Sequence, residues 1–241
     1  MADDGAASAC LGGQLNYQIV SFDLDGTLVD TAVEIAEATN RALEEHGIER
    51  RTLAEIKTHI GLGTEELLRS VFAQFAAQQP DRAAAIRFED VMESLKRHYA
   101  QTAGTQAAPF EGVSEALESL RRAQVRLACV TNKELRYARS VLLNTRLSDF
   151  FALTLGGDSL PFKKPHAGVL RYVVTALKGE LQRTAHVGDS HIDVAAARNA
   201  GVSAWAVPYG YNAGVPIAAA NPDRIFPTLL QLAAYVTGSR V

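Results

Sequence analysis

Short apolar runs punctuate this chain, and helical patterns fill most of the space between them. Tyr17 to Phe22 reads as a buried strand. Asp30 or Thr31 stands where a cap opens the next helix, which carries Ala32, Ile35, Ala36 and Leu43 and stops at Gly47. From there to about Ala103 the pattern stays helical. Thr64-Glu65-Glu66-Leu67-Leu68 opens one helix with a cap and an acidic first turn, and Phe88 to Tyr99 forms another. No strand-like run interrupts this stretch.

Beyond it the pattern changes. Pro109-Phe110-Glu111-Gly112 is a turn signal, Val113 to Ala123 an amphipathic helix and Val125 to Thr131 a strand. Strand and helix patterns then alternate: Phe151 to Leu155, Ala167 to Leu177, Ala185 to Gly188, Asp193 to Ala200 ending at Gly201, and Val202 to Val207. Such alternation predicts an α/β domain, a doubly wound parallel sheet with helices on its faces. The helical block interrupting it reads as an inserted domain. The expected organisation is a disordered tail over residues 1–15, a core over 16–30 and 104–241, and a helical insert over 31–103.

Composition narrows the setting. A chain of 241 residues with 47% hydrophobic and 21% charged content suits a soluble protein with a sizeable core. A net charge of -3 gives no basic footprint for nucleic acid or an anionic membrane. No apolar run approaches the roughly 20 residues that cross a bilayer, and the N-terminus lacks the pattern of a signal peptide. Cys10 falls in the tail and Cys129 in an apolar run, so neither a disulfide framework nor a thiolate metal site is expected. The reading is a cytoplasmic protein, monomer or weak homodimer.

The chemistry concentrates at strand ends. Asp23 and Asp25 in Phe22-Asp23-Leu24-Asp25-Gly26-Thr27 follow the first strand, and in extended chain i and i+2 share a face. Two carboxylates held together need a cation or a shared proton. Thr131-Asn132-Lys133 and Gly188-Asp189-Ser190 end two further strands, and Lys163-Lys164-Pro165-His166 lies between them. Taken singly, Thr131-Asn132 is more often a helix cap and Lys163-Lys164 more often a solvated loop, while Gly188-Asp189-Ser190 reads equally as a cap. A parallel sheet places every strand C-terminus on one edge, so Asp23, Asp25, Thr131 and Asp189 should converge there. Carboxylates and carbonyls form a hard-oxygen site suited to Mg²⁺ with phosphate. A helix starting near Lys133 would aim N–H groups at an anion.

The order and spacing of these four motifs resemble the haloacid dehalogenase superfamily, over roughly residues 17 to 235. The resemblance implies an α-helical cap over a sheet core and phosphomonoester hydrolysis. Asp23 would be the nucleophile that forms an aspartyl-phosphate, Asp25 the acid and base, and Lys164 a catalytic charge partner. Mg²⁺ would be held by Asp23, Asp189 and the Asp25 carbonyl. Thr131, Asn132, Lys164 and Gly26 would meet the substrate, and Asp193 would support the metal or Lys164. The partner would be a small phosphorylated metabolite. Dehalogenase members of the superfamily lack the second acid of the first motif, and Asp25 fills it here.

Weaker phrases resemble the superfamily branch that hydrolyses 2-phosphoglycolate: His59-Ile60-Gly61-Leu62-Gly63, Gly156-Gly157-Asp158-Ser159-Leu160-Pro161 and Tyr209-Gly210-Tyr211-Asn212. The glycine pair reads equally as a turn or a substrate loop. Ala167 departs from the family's Lys-Pro-x-Pro phrase and should alter loop rigidity. Lys57, His59 and Arg69 are the cap candidates for a substrate carboxylate, by location only. Relatives acting on pyrophosphate, a nucleotide monophosphate or a sugar phosphate, and a sugar-phosphate mutase, share these motifs.

Overall fold

The computed structural model describes residues 17–239, so the expected tail and Cys10 lie outside the described residues. Six strands form a parallel sheet: β1 (Ile19–Phe22), β4 (Arg126–Val130), β5 (Leu153–Leu155), β6 (Thr184–Gly188), β7 (Ser203–Ala206) and β8 (Arg224–Ile225). Two short strands, β2 (Val29–Asp30) and β3 (Ala108–Pro109), pair antiparallel beside it. The sheet order is β5-β4-β1-β6-β7-β8, so β1 is central and the winding reverses between β5 and β6. Such a reversal opens a crevice beyond the strand ends.

Every residue of β1 and β6 is buried, the pattern of strands covered on both faces. Phe22, Leu127, Cys129, Val187 and Trp205 pack beneath α6 (Val113–Arg122) and α10 (Leu229–Thr237) on one side. Ile19, Val130 and Ala204 pack on the other against α8 (Ala167–Ala176) and α9 (His191–Ala200). Each large aliphatic or aromatic side chain buried this way contributes about 1.5–3 kcal/mol, which leaves the strand ends free to carry polar groups. Helix α7 (Leu135–Asn144) leaves the end of β4.

Five helices lie between β2 and β3: α1 (Ala32–Glu45), α2 (Leu53–Lys57), α3 (Thr64–Gln78), α4 (Pro80–Ala84) and α5 (Phe88–Thr102). They share their own apolar cluster, including Leu43, Ile56, Leu68, Phe75 and Tyr99. Tyr137 of α7 joins that cluster, its ring 4.6 Å from Tyr99 and its hydroxyl donating to the Lys96 carbonyl. The cap thus stands on the sheet's C-terminal edge.

Several local expectations change. Gly63, not Thr64, precedes the first residue of α3, and the Thr64 hydroxyl donates to Glu134 of the core. Thr31 flanks α1 without capping it: its hydroxyl donates to Asp25 at 2.6 Å, while Asp30 accepts from the Ala32 N–H. Helix α9 begins at His191, earlier than expected, because Ser190 and Asp193 form a reciprocal capping box. The strand expected from Phe151 shortens to Leu153–Leu155, since the preceding chain turns as a 3₁₀ helix at Ser148–Phe150. Strand β8 and helix α10 had no counterpart in the pattern reading.

Candidate active site

Parallel register does what the strand-end argument requires. Phe22 lies beside Cys129 and Val187, so the residues after β1, β4 and β6 emerge together. Asp23 is 6% exposed, and its Oδ1 stands 2.8 Å from Lys164 Nζ. Lys164, 2% exposed, also donates to Asp193 Oδ1 at 2.6 Å. Asp193 accepts further from His186 Nε2 at 3.2 Å and from the Ser190 hydroxyl at 2.6 Å. Its oxygens are therefore committed to holding Lys164 and the start of α9.

Asp25 has a different partner. Lys133 Nζ lies 2.7 and 2.9 Å from its two carboxylate oxygens. Asp23, Asp25, Thr131 and Lys133 line one side of a recess, and Ile35, Ile60, Thr64 and Leu67 of the cap line the other. Thr131 thus reaches the recess. Asn132 does not line it; its side-chain N–H groups donate to the Gly61 and Lys164 carbonyls, each at 3.0 Å, tying cap to core.

Asp189 accepts from the Thr27 hydroxyl at 3.1 Å and the Tyr211 N–H at 2.6 Å. Gly26, at φ +84°, presses against it; a Cβ there would meet Asp189 Oδ2 at 2.5 Å. The Gly26 N–H is bonded to the Val29 carbonyl, so close approach is what Gly26 supplies to the site.

The electrostatics call for a cation. One carboxylate oxygen each of Asp23, Asp189 and Asp193 lie within 4.8 Å of one another. With Asp25 the buried cluster holds four carboxylates against two ammonium groups, Lys133 and Lys164, an excess of two negative charges. Burial, reinforced by the neighbouring aspartates, pushes the Asp23 carboxyl up despite Lys164. Burial and Asp193 push Asp189 up to about 6. For Asp193 burial pushes the carboxyl up, but the charges and hydrogen bonds of Lys164 and His186 together outweigh it and hold the carboxyl below its ordinary range. Lys164 is in turn raised, its two aspartates outweighing its desolvation. A divalent, oxygen-seeking cation fits the donor set and its charge excess. Asp23 and Asp189 would hold it, because Asp193 is already engaged.

Four residues at the site have no side-chain role in the sequence reading. Lys133 figures there only as a helix start. Ser21 and His186 are register partners on β1 and β6, joined at 2.9 Å beneath Asp193. A polar residue inside each of two apolar runs was the available signal. Tyr211, named there only within a family phrase, is the fourth: its hydroxyl accepts from the Thr31 and Ala32 N–H groups at 2.8 and 3.1 Å and donates to Asp30 at 2.6 Å. It clasps the start of α1.

Other candidates sort by position. Arg69 pairs with Glu65 and lies over Phe88, away from the recess. Lys57 lies over the Tyr211 ring, and His59 meets Gln74 in a neighbouring cleft. Gly156 and Gly157 sit flush against the backbone of Lys133, Leu135 and Asn132, and Asp158 accepts from the Leu135 N–H at 2.7 Å. That loop supports the Thr131–Lys133 turn. Ala167 is the first residue of α8, capped by His166 Nδ1 at 3.0 Å, so a side-chain cap starts the helix at the departed proline position.

A family model for haloacid dehalogenase-like hydrolases matches residues 20–207. The chain belongs to that family. It is 34% identical over 223 residues to the phosphoglycolate phosphatase of Thiobacillus denitrificans, covering 92% of this chain and 97% of that one. It is 39% identical over 222 residues to the plasmid phosphoglycolate phosphatase of Cupriavidus necator, covering 92% and 94%. A "predicted phosphoglycolate phosphatase" from Haemophilus somnus shares the fold at a TM-score of 0.86 and 28% identity, over 92% of this chain and 99% of that one. The chain is a hydrolase similar to these phosphatases.

Proposed function

We propose that this hydrolase releases phosphate from small phosphomonoesters, with 2-phosphoglycolate as its substrate, through an aspartyl-phosphate on Asp23. The observation carrying the reading is the buried Asp23 carboxylate, paired to Lys164 and facing the recess beside Asp25 and Thr131. Relatives covering nearly the whole chain and named for phosphoglycolate support the substrate.

Asp23 attacks phosphorus in line, and the bond from phosphorus to the leaving oxygen breaks. Asp25 gives its proton to that oxygen, then takes one from the water that attacks the same phosphorus and frees Asp23. Lys164 and the Thr131 hydroxyl meet the negative charge on the phosphoryl oxygens, and Asn132 holds the Lys164 loop in place. Mg²⁺, bound by Asp23, Asp189 and the Asp25 carbonyl, would offset repulsion between nucleophile and phosphate. The cap, taken as residues 31–103, excludes water and bulky esters.

The test is phosphate release from 2-phosphoglycolate, pyrophosphate, glucose phosphates and nucleotide monophosphates, with Mg²⁺ and with EDTA. Preference for phosphoglycolate, lost in EDTA, is expected. Asp23→Asn should abolish turnover while melting no lower than the parent, because it removes one of several crowded carboxylates. Near-normal activity in that variant would sink the covalent route, and a sugar phosphate rearranged without phosphate release would point to a mutase.

A further inference from the structure

We infer that Lys133 reads the carboxylate of the substrate. The inference rests on the phosphoglycolate reading above and adds the residue that would make it specific. A substrate with a phosphate at one end and a carboxylate at the other needs a second cation beyond the groups that hold phosphate. The cap wall of the recess offers Ile35, Ile60 and Leu67, with no charge. Among the described residues lining this recess, Lys133 carries the ammonium group.

Other nearby cations are committed. Lys164 is held between Asp23 and Asp193. Lys163 donates to the Leu62 carbonyl at 2.8 Å. Arg69 faces Glu65 outside the recess.

Geometry supplies the reach. Asp25 must touch the leaving oxygen to protonate it, and one methylene separates that oxygen from the carboxylate carbon in phosphoglycolate. Lys133 touches both oxygens of Asp25, so it stands within one side-chain rotation of the substrate carboxylate. The Tyr99 ring, 4.9 Å from Nζ, backs the ammonium and limits where it swings. Lys133 is 3% exposed, and the apolar cap wall keeps water from competing for the ion pair. When the carboxylate takes the ammonium, Asp25 is released toward the leaving oxygen. The same wall offers few partners for the several hydroxyl groups of a sugar phosphate, chiefly Thr64 and the backbone at Gly61 and Gly63.

The experiment compares kcat/KM for 2-phosphoglycolate and ethyl phosphate, which has the same two carbons but no carboxylate. It uses the full chain and the variants Lys133→Met, Lys133→Gln and Lys133→Arg, each checked for folding by circular dichroism. The parent should prefer phosphoglycolate. In Lys133→Met and Lys133→Gln that preference should collapse by roughly 10- to 100-fold, the worth of a charge-assisted contact, mainly through KM. Lys133→Arg should recover part of it. A preference that survives in either neutral variant overturns the assignment. A parallel fall on both esters also overturns it, since Lys133 would then act only through Asp25. A parent with no preference removes the substrate reading itself, and the Lys133 assignment with it.

Discussion

Asp193→Ala tests the charge network beneath the nucleophile most directly. In the native protein this carboxylate, 1% exposed, accepts from Lys164, His186 and both the N–H and hydroxyl of Ser190. Removing it leaves Lys164 buried with Asp23 as its remaining carboxylate, His186 Nε2 without its acceptor, and α9 without half of its capping box. Breaking a buried ion pair from one side costs about 3–5 kcal/mol, and loss of a helix cap adds about 1 kcal/mol. Relief of repulsion between Asp193 and its neighbours Asp23 and Asp189 opposes this, which places the expected loss near the lower end, about 3–4 kcal/mol. For a chain of this size that is a fall of roughly 6–16 °C in Tm. The assay is urea and thermal unfolding of Asp193→Ala, Lys164→Met and the double variant, with turnover measured alongside. The double variant removes both charges, so it should lose less stability than the two single losses added together. All three should lose turnover by about 10²-fold or more, as when a charge-stabilising donor is lost. Strict additivity, or a loss below about 1 kcal/mol as at a surface pair, would refute the account of Asp193 as the anchor of Lys164.

Two further outcomes follow from the same geometry. Asp189 titrates near 6 because of burial, and Asp23 is raised as well. A carboxyl raised on folding stabilises the metal-free fold at low pH and loses that contribution as pH rises through its folded value. A cation must displace those protons, so the Tm gain from Mg²⁺ should grow from pH about 5 to about 7.5 and largely vanish in Asp189→Asn; a gain independent of pH would contradict the assignment of these ligands. Tyr211→Phe deletes the hydroxyl that receives the Thr31 and Ala32 N–H groups, which should cost about 1–3 kcal/mol and loosen the start of α1, read as faster hydrogen exchange there; unchanged exchange would show that the clasp is not used.

Much of the architecture was legible because it is written in local pattern. The runs at Ile19–Phe22 and Arg126–Val130 are largely apolar on both faces, which marks parallel strands covered by helices, whereas Thr184–Gly188 is equally buried but carries Thr184 and His186 on one face. The unbroken helical stretch after Gly47 marks the cap. Asp23, Thr131 and Asp189 were readable as a site because strand order fixes which ends meet. Helix starts were less legible. Thr64 and Thr31 have the chemistry of caps, yet their hydroxyls turn to Glu134, distant in sequence, and to Asp25 at the end of β1.

The sequence alone therefore determined most of the elements up to β7, their order and the edge of the sheet where the acids gather, since periodicity and connection rules depend on neighbours along the chain. Tertiary structure decided which partner each charge takes. It assigned Asp193 to Lys164 and Lys133 to Asp25, set His186 beside Ser21, and made the glycine pair a support for the Thr131 turn. Those choices turn on distances of a few ångströms between segments far apart in sequence, and on burial that makes an unpaired charge costly.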